Sequence, residues 1–180
     1  MALQFEKWEG TGNDFVLVDG RQEGRLPSDW SDAEVAALCD RKRGVGSDGV
    51  VVVTPGDDGS LHVDFRNPDG SRSFCGNGTR SAVAWAHGEG VFKTDIRVEA
   101  VDGAHTGVLR ADGTPGISLN VEAVPRMKTP SVPQAVHAAF LHTGSPHHVE
   151  WVDSASVLDG LDLVQAVSYT HLRAHETTDN

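Results

Sequence analysis

Apolar and polar residues alternate from Leu3 to Trp8 with the period of a half-buried strand, and Phe15-Val16-Leu17-Val18 forms a second, more deeply buried run. Ser31-Asp32-Ala33-Glu34 is a capping-box pattern, and the apolar spacing that follows predicts a helix to about Arg43. Val50-Val51-Val52-Val53 reads as a fully buried strand, and Leu61 to Arg66 alternates as another. Turn residues separate them at Pro55-Gly56-Asp57-Asp58-Gly59 and again at Asn67-Pro68-Asp69-Gly70. The next segment, Ser81-Ala82-Val83-Ala84-Trp85-Ala86, is a nearly unbroken apolar run and predicts a helix buried on most sides. Short alternating runs from Phe92 to Val121, broken at Asp102-Gly103 and Asp112-Gly113, predict a meander of strands. Pro125 to Pro133 holds three prolines and reads as a linker.

Composition narrows the function classes. A chain of 180 residues can bury one sizeable core, or one domain and part of another. The net charge of −11 repels polyphosphate and leaves no basic stripe for nucleic acid, which favours a small-molecule partner. No run approaches the ~18 apolar residues of a membrane span, and the first residues lack a basic region followed by an apolar one; a cytoplasmic location is the expectation. Two cysteines, Cys39 and Cys75, suit a reducing compartment better than a disulfide scaffold.

The chemistry gathers at Phe74-Cys75-Gly76-Asn77-Gly78-Thr79-Arg80. This places a thiol at the mouth of the apolar helix, where unpaired N–H groups and the positive end of the helix dipole converge. The same donors can hold a carboxylate or phosphate. On these residues alone Cys75 is equally a small buried hydrophobe or a reactive thiol. Cys39, among small apolar residues of a helix, reads as packing. Asn13, in the glycine-rich loop Glu9-Gly10-Thr11-Gly12-Asn13-Asp14, reads as an ordinary hairpin residue. Gly44-Val45-Gly46-Ser47-Asp48-Gly49 spells G-x-G-x-x-G, but it follows a helix and precedes a strand, the reverse of the dinucleotide fingerprint. His147-His148 suggests a metal pair, yet neighbours on an extended strand face opposite ways and no ligand set accompanies them; no metal is expected.

Five motifs in order over residues 3 to 152 resemble diaminopimelate epimerase. They are Phe5-x-Lys7-x-x-Gly10-Thr11-Gly12-Asn13-Asp14-Phe15, Arg43-Gly44-Val45-Gly46-Ser47-Asp48-Gly49, Asn67-Pro68-Asp69-Gly70-Ser71, Cys75-Gly76-Asn77-Gly78-Thr79-Arg80 and Thr143-Gly144-Ser145-Pro146-His147. The resemblance implies an α/β (α+β) fold in which a mixed sheet wraps a central apolar helix, and a cofactor-independent interconversion of LL- and meso-diaminopimelate. It implies that Cys75 is one of two cysteines facing each other across the substrate α-carbon. Asn13, Asn67, Ser145 and the backbone of Gly76 and Asn77 would bind substrate, and His147 would tune the thiols. It also implies diaminopimelate as the small-molecule partner and a homodimer in the full-length form, while composition adds the expectation of no nucleic-acid or membrane partner. Ser145 stands where the family often has Asn, and Gly49 where some members carry a ligand-contacting glutamine.

The expected organisation is a first domain over 1–124, a linker and the opening of a second over 125–166, and a non-native tail over 167–180. Val167 to Thr177 resembles no part of the family and reads as the translation of a transposase-type sequencing adapter. The family's second Cys-Gly-Thr/Ser-Gly loop does not occur after Asp162, so this chain is expected to be inactive by itself. Two rivals remain. A proline racemase or hydroxyproline epimerase is similar in fold, though its first loop carries Cys-Gly-His-Gly where this chain has Asn77. A non-catalytic amino-acid-binding module would keep the anion-holding loop alone.

Overall fold

The computed structural model describes residues 3–157 apart from 23, 25, 122–123, 131–134, 145 and 155. The chain divides into two compact units that part between Leu119 and Asn120. Strands β1 (Glu6–Gly10), β2 (Asn13–Asp19), β3 (Gly49–Pro55), β4 (Leu61–Arg66), β5 (Asp95–Ala100), β6 (Gly103–Leu109) and β7 (Pro115–Ile117) form one seven-stranded sheet in chain order. Helix α1 (Asp32–Cys39) joins β2 to β3, and α2 (Gly76–Gly88) joins β4 to β5. Both of those strand pairs are parallel, and the others in this sheet are antiparallel.

This mixture decides which face each helix covers. A crossover between parallel strands is right-handed. Because β3 and β4 are antiparallel, the β2–β3 and β4–β5 pairs run in opposite directions, so right-handed crossovers put α1 and α2 on opposite faces. The side chains agree. Phe15, Leu17, Val51 and Val53 pack with Ala82, Val83, Trp85 and Ala86 of α2. The alternate residues Val16, Val18, Val50 and Val52 pack with Val35 and Cys39 of α1. Strands β2 and β3 are therefore covered on both sides, which is why their sequences are unbroken apolar runs. Helix α2 packs against β1, β2, β3, β4, β6 and β7, so the mixed sheet wraps around it. Small residues permit the approach: a Cβ at Gly107 would meet Val83 Cγ2 at 2.6 Å.

Three elements differ from the expectation. The first strand begins at Glu6 and runs on to Gly10, leaving a two-residue turn, Thr11-Gly12, with φ of 54° and 82°. Positive φ at both central residues is the type I′ geometry that matches strand twist. Helix α1 starts at its capping box, with the Ser31 N–H donating to Glu34 Oε2 at 2.8 Å, but ends at Cys39. There the Asp40 carboxylate accepts the backbone N–H groups of Lys42 and Arg43 at 2.7 and 3.0 Å, drawing them out of the helical ladder. Within the proline-rich stretch Arg126–Lys128 forms β8, whose three residues all keep an N–H to donate.

The second unit holds a three-stranded antiparallel sheet of β8, β9 (Ala135–His142) and β10 (Pro146–Val152), ordered β10-β9-β8. The expected non-native tail lies outside the described residues. Among the described residues no helix is long and apolar enough to cross a membrane.

Candidate active site

Cys75 is the N-cap of α2. Its carbonyl accepts the N–H and the hydroxyl of Thr79, each at 2.8 Å, and its sulfur accepts the Gly78 N–H at 3.4 Å. The half-buried thiol thus points back over the first helical turn, where the leading N–H groups have no intrahelical partner. Negative charge on this sulfur meets donors and the positive end of the helix dipole. The helix start lies close on β3 and β4: a Cβ at Gly78 would meet Val51 Cγ2 at 3.3 Å and the Phe65 ring at 3.4 Å.

The β1–β2 turn meets this helix start. A Cβ at Gly10 would lie 3.1 Å from Ser81 Oγ and 3.4 Å from the Asn77 carbonyl oxygen. Asn77, 5% exposed, donates through Nδ2 to Asn13 Oδ1 at 2.8 Å. Asn13 in turn donates to Asp48 Oδ2 at 3.2 Å, and Arg80 donates to Asn77 Oδ1 and to Thr11 Oγ1. Thr11 is the only non-glycine with positive φ among the described residues, and it is β-branched. That backbone strain sits at the site's edge, as such strain commonly does.

Charged side chains stitch the loop before β3 to the same turn. Arg41 pairs with Asp14 at 2.5 Å and Asp48 at 2.8 Å, while Lys7 pairs with Asp14 at 2.6 Å and donates to the Gly46 carbonyl. The Arg41 guanidinium bonded to Asp14, opposed by partial burial and assisted by Lys7, holds that carboxyl well below the usual carboxylate range. Asn67 closes the other side: its Nδ2 donates to Ser73 Oγ at 2.9 Å and to the Ser71 carbonyl and hydroxyl. Its turn is clamped by Arg66, 1% exposed, whose guanidinium donates to the carbonyls of Gly70, Pro27 and Trp30 and to Asp32.

Of the residues singled out by sequence, Cys75, Gly76, Asn77 and Asn13 therefore converge, and Asn67 is tied two residues before the thiol. His147 belongs to the second unit, on β10 opposite Leu141, and Ser145 lies outside the described residues. His148, the other half of the histidine pair, is bonded to Glu150 at 2.7 Å. Cys39 is buried in the α1 cluster, where desolvation pushes its thiol pKa up. Gly49 is fixed by Phe65, whose ring would lie 2.4 Å from a Cβ there. Sequence reasoning missed Asp48, Arg41 and Arg80. A signal was present for two of them, since Asp48 sits inside the Gly44–Gly49 motif and Arg80 is one turn along the helix from Asn77; Arg41 lies outside the motifs.

A family model described as diaminopimelate epimerase matches residues 5–124, which hold Cys75, Gly76, Asn77, Asn13 and Asn67 but not Ser145, His147 or His148. The chain belongs to the diaminopimelate epimerase family. Relatives include the diaminopimelate epimerases of Flavobacterium psychrophilum, 31% identical over 94% of this chain and 63% of the relative, and of Azoarcus sp., 36% identical over 84% and 60%. The chain spans about three-fifths of the length of these curated relatives. Among solved structures it is similar to a predicted epimerase of Pseudomonas aeruginosa (TM-score 0.62, 15% identity, 96% of this chain and 68% of that one). It is also similar to a hydroxyproline epimerase of Agrobacterium vitis (TM-score 0.59, 12% identity, 94% and 60%). At such identities the likeness is one of fold, and it places the wrapped-helix architecture with epimerase folds.

Proposed function

We propose that Cys75 is one of two acid/base groups in a cofactor-independent interconversion of LL- and meso-diaminopimelate. As thiolate, Cys75 takes the α-proton: the C–H bond breaks, an S–H bond forms, and the electron pair stays on the α-carbon and its carboxylate. A second thiol on the opposite face gives up its proton to that carbon, becoming thiolate, and the centre inverts. The α-proton is weakly acidic, so donors aimed at the carboxylate must carry the developing charge. The first-turn N–H groups of Gly76 and Asn77 and the amide of Asn13 supply them in this reading, with Asn67 and Ser145 as further substrate contacts and His147 as a modulator of the thiols. The supporting observation is a half-buried thiol at a helix N-cap, bonded to the Gly78 N–H, in a chain of this family.

Cys39, the other thiol, packs on the opposite face of the sheet, so the second acid/base comes from outside these 180 residues. The chain alone is accordingly inactive, and a cytoplasmic small-molecule role goes with the proposal. A chimera with residues 5–124 in place of the matching part of the Azoarcus enzyme tests it. The expected result is conversion of LL- to meso-diaminopimelate and no racemisation of proline. A folded chimera that turns over proline, or neither substrate, contradicts the reading.

A further inference from the structure

Asn13 and Asn77 are joined through their side chains, and each amide has two chemically opposite ends. An asparagine side chain can rotate by half a turn with almost no change in shape, exchanging a donor for an acceptor. What a ligand meets depends on which end is turned toward it. The groups at the two ends of this pair remove the choice.

Arg80 can only donate, and it donates to Asn77 Oδ1. This leaves Asn77 Nδ2 to face Asn13, where it finds Oδ1 at 2.8 Å. Asn13 Nδ2 is then turned to Asp48 Oδ2 at 3.2 Å, and an ionised carboxylate can only accept. Reversing Asn77 would set its N–H groups against the guanidinium and its oxygen against Asn13 Oδ1, and reversing Asn13 would set N–H against N–H at Asn77 and oxygen against oxygen at Asp48. The carboxylate is itself held in place. Asp48 Oδ1 accepts from Arg41 at 2.8 Å, Oδ2 accepts the Asp14 backbone N–H at 3.2 Å, and the Asp48 N–H donates to the Asp14 carbonyl at 2.8 Å.

We infer that Asp48 and Arg80 are positioning residues that fix the direction of both amides, so that Asn13 offers its remaining N–H, a donor, to substrate. The relay runs Arg80 to Asn77 to Asn13 to Asp48, donor to acceptor throughout. An amide held this way selects a ligand acceptor such as a carboxylate oxygen over an ammonium group. The inference deepens the proposed function and rests on it only for the identity of the ligand; the direction of the amides stands on the side chains alone.

Two measurements keep the parts separate. In side-chain amide NMR of the 180-residue chain, the Asn13 Nδ2 proton bonded to a carboxylate should lie downfield. It should move to the ordinary asparagine position in Asp48→Ala while the backbone resonances of α2 stay in place, and Arg80→Met should do the same to Asn77. Unchanged Asn13 resonances in Asp48→Ala overturn the relay. In the chimera, Asp48→Ala should raise KM for diaminopimelate about tenfold, the worth of one charge-assisted hydrogen bond, and lower kcat far less. A loss confined to kcat, or a thermal unfolding shift with KM unchanged, assigns Asp48 a merely structural part. An inactive unsubstituted chimera sinks the proposed function and leaves the NMR result to decide the relay.

Discussion

The two thiols show how local surroundings divide one residue type into two kinds. Cys75 accepts an N–H at a helix start, whereas Cys39 is 5% exposed among valines and its thiol is pushed up by desolvation. Alkylation of the folded chain by iodoacetamide should therefore modify Cys75 and spare Cys39, and peptide mapping would show it; equal labelling would contradict the environments described. Asp14 carries a pH dependence. Because Arg41 and Lys7 hold its carboxyl below the ordinary value of 3.8, the unfolded chain takes up this proton before the folded one does. Its contribution to stability is complete above that value and is lost as pH falls toward the lowered one. Urea midpoints should drop as the pH falls below about 4 and go on dropping below pH 3, and Asp14→Asn should flatten the part of that drop due to this group.

At the scale of elements, the clamp at Arg66 and the contact at Gly107 make the firmest expectations. Arg66→Met strips donors from three carbonyls and from Asp32 and should cost about 2–4 kcal/mol in urea unfolding. Gly107→Ala drives a methyl into Val83 and should cost about 1–3 kcal/mol, with α2 displaced from β6. A variant as stable as the parent would show that the helix has room to move. Most elements were legible because burial on both faces of β2 and β3 leaves no polar position in either run. The capping box likewise fixed the start of α1. Its end was not legible, because the Asp40 side chain competes with the backbone there, and β8 was hidden by the prolines on either side of its three residues. At the site, glycine and asparagine loops could be found in sequence. The amide relay could not, since Asp48 and Asn77 meet through Asn13 from positions 35 and 64 residues away along the chain.

At the scale of the whole molecule, the alternation of parallel and antiparallel pairs assigns each helix its own face and leaves α2 as the axis around which the seven-stranded sheet closes. A thiol on the tip of that axis is placed by most of the first unit's core, which is what proton transfer at a fixed carbon demands. The chain spans about three-fifths of the length of its curated relatives. The most direct test of the central claim is the chimera assayed in deuterium oxide with Cys75 intact and with Cys75→Ala. The account predicts α-deuterium incorporation and inversion with the intact thiol, and loss of both by about 10²–10⁴-fold in the variant, the range of a positioned acid/base. Exchange and inversion within a few-fold of the intact protein would show that Cys75 moves no proton.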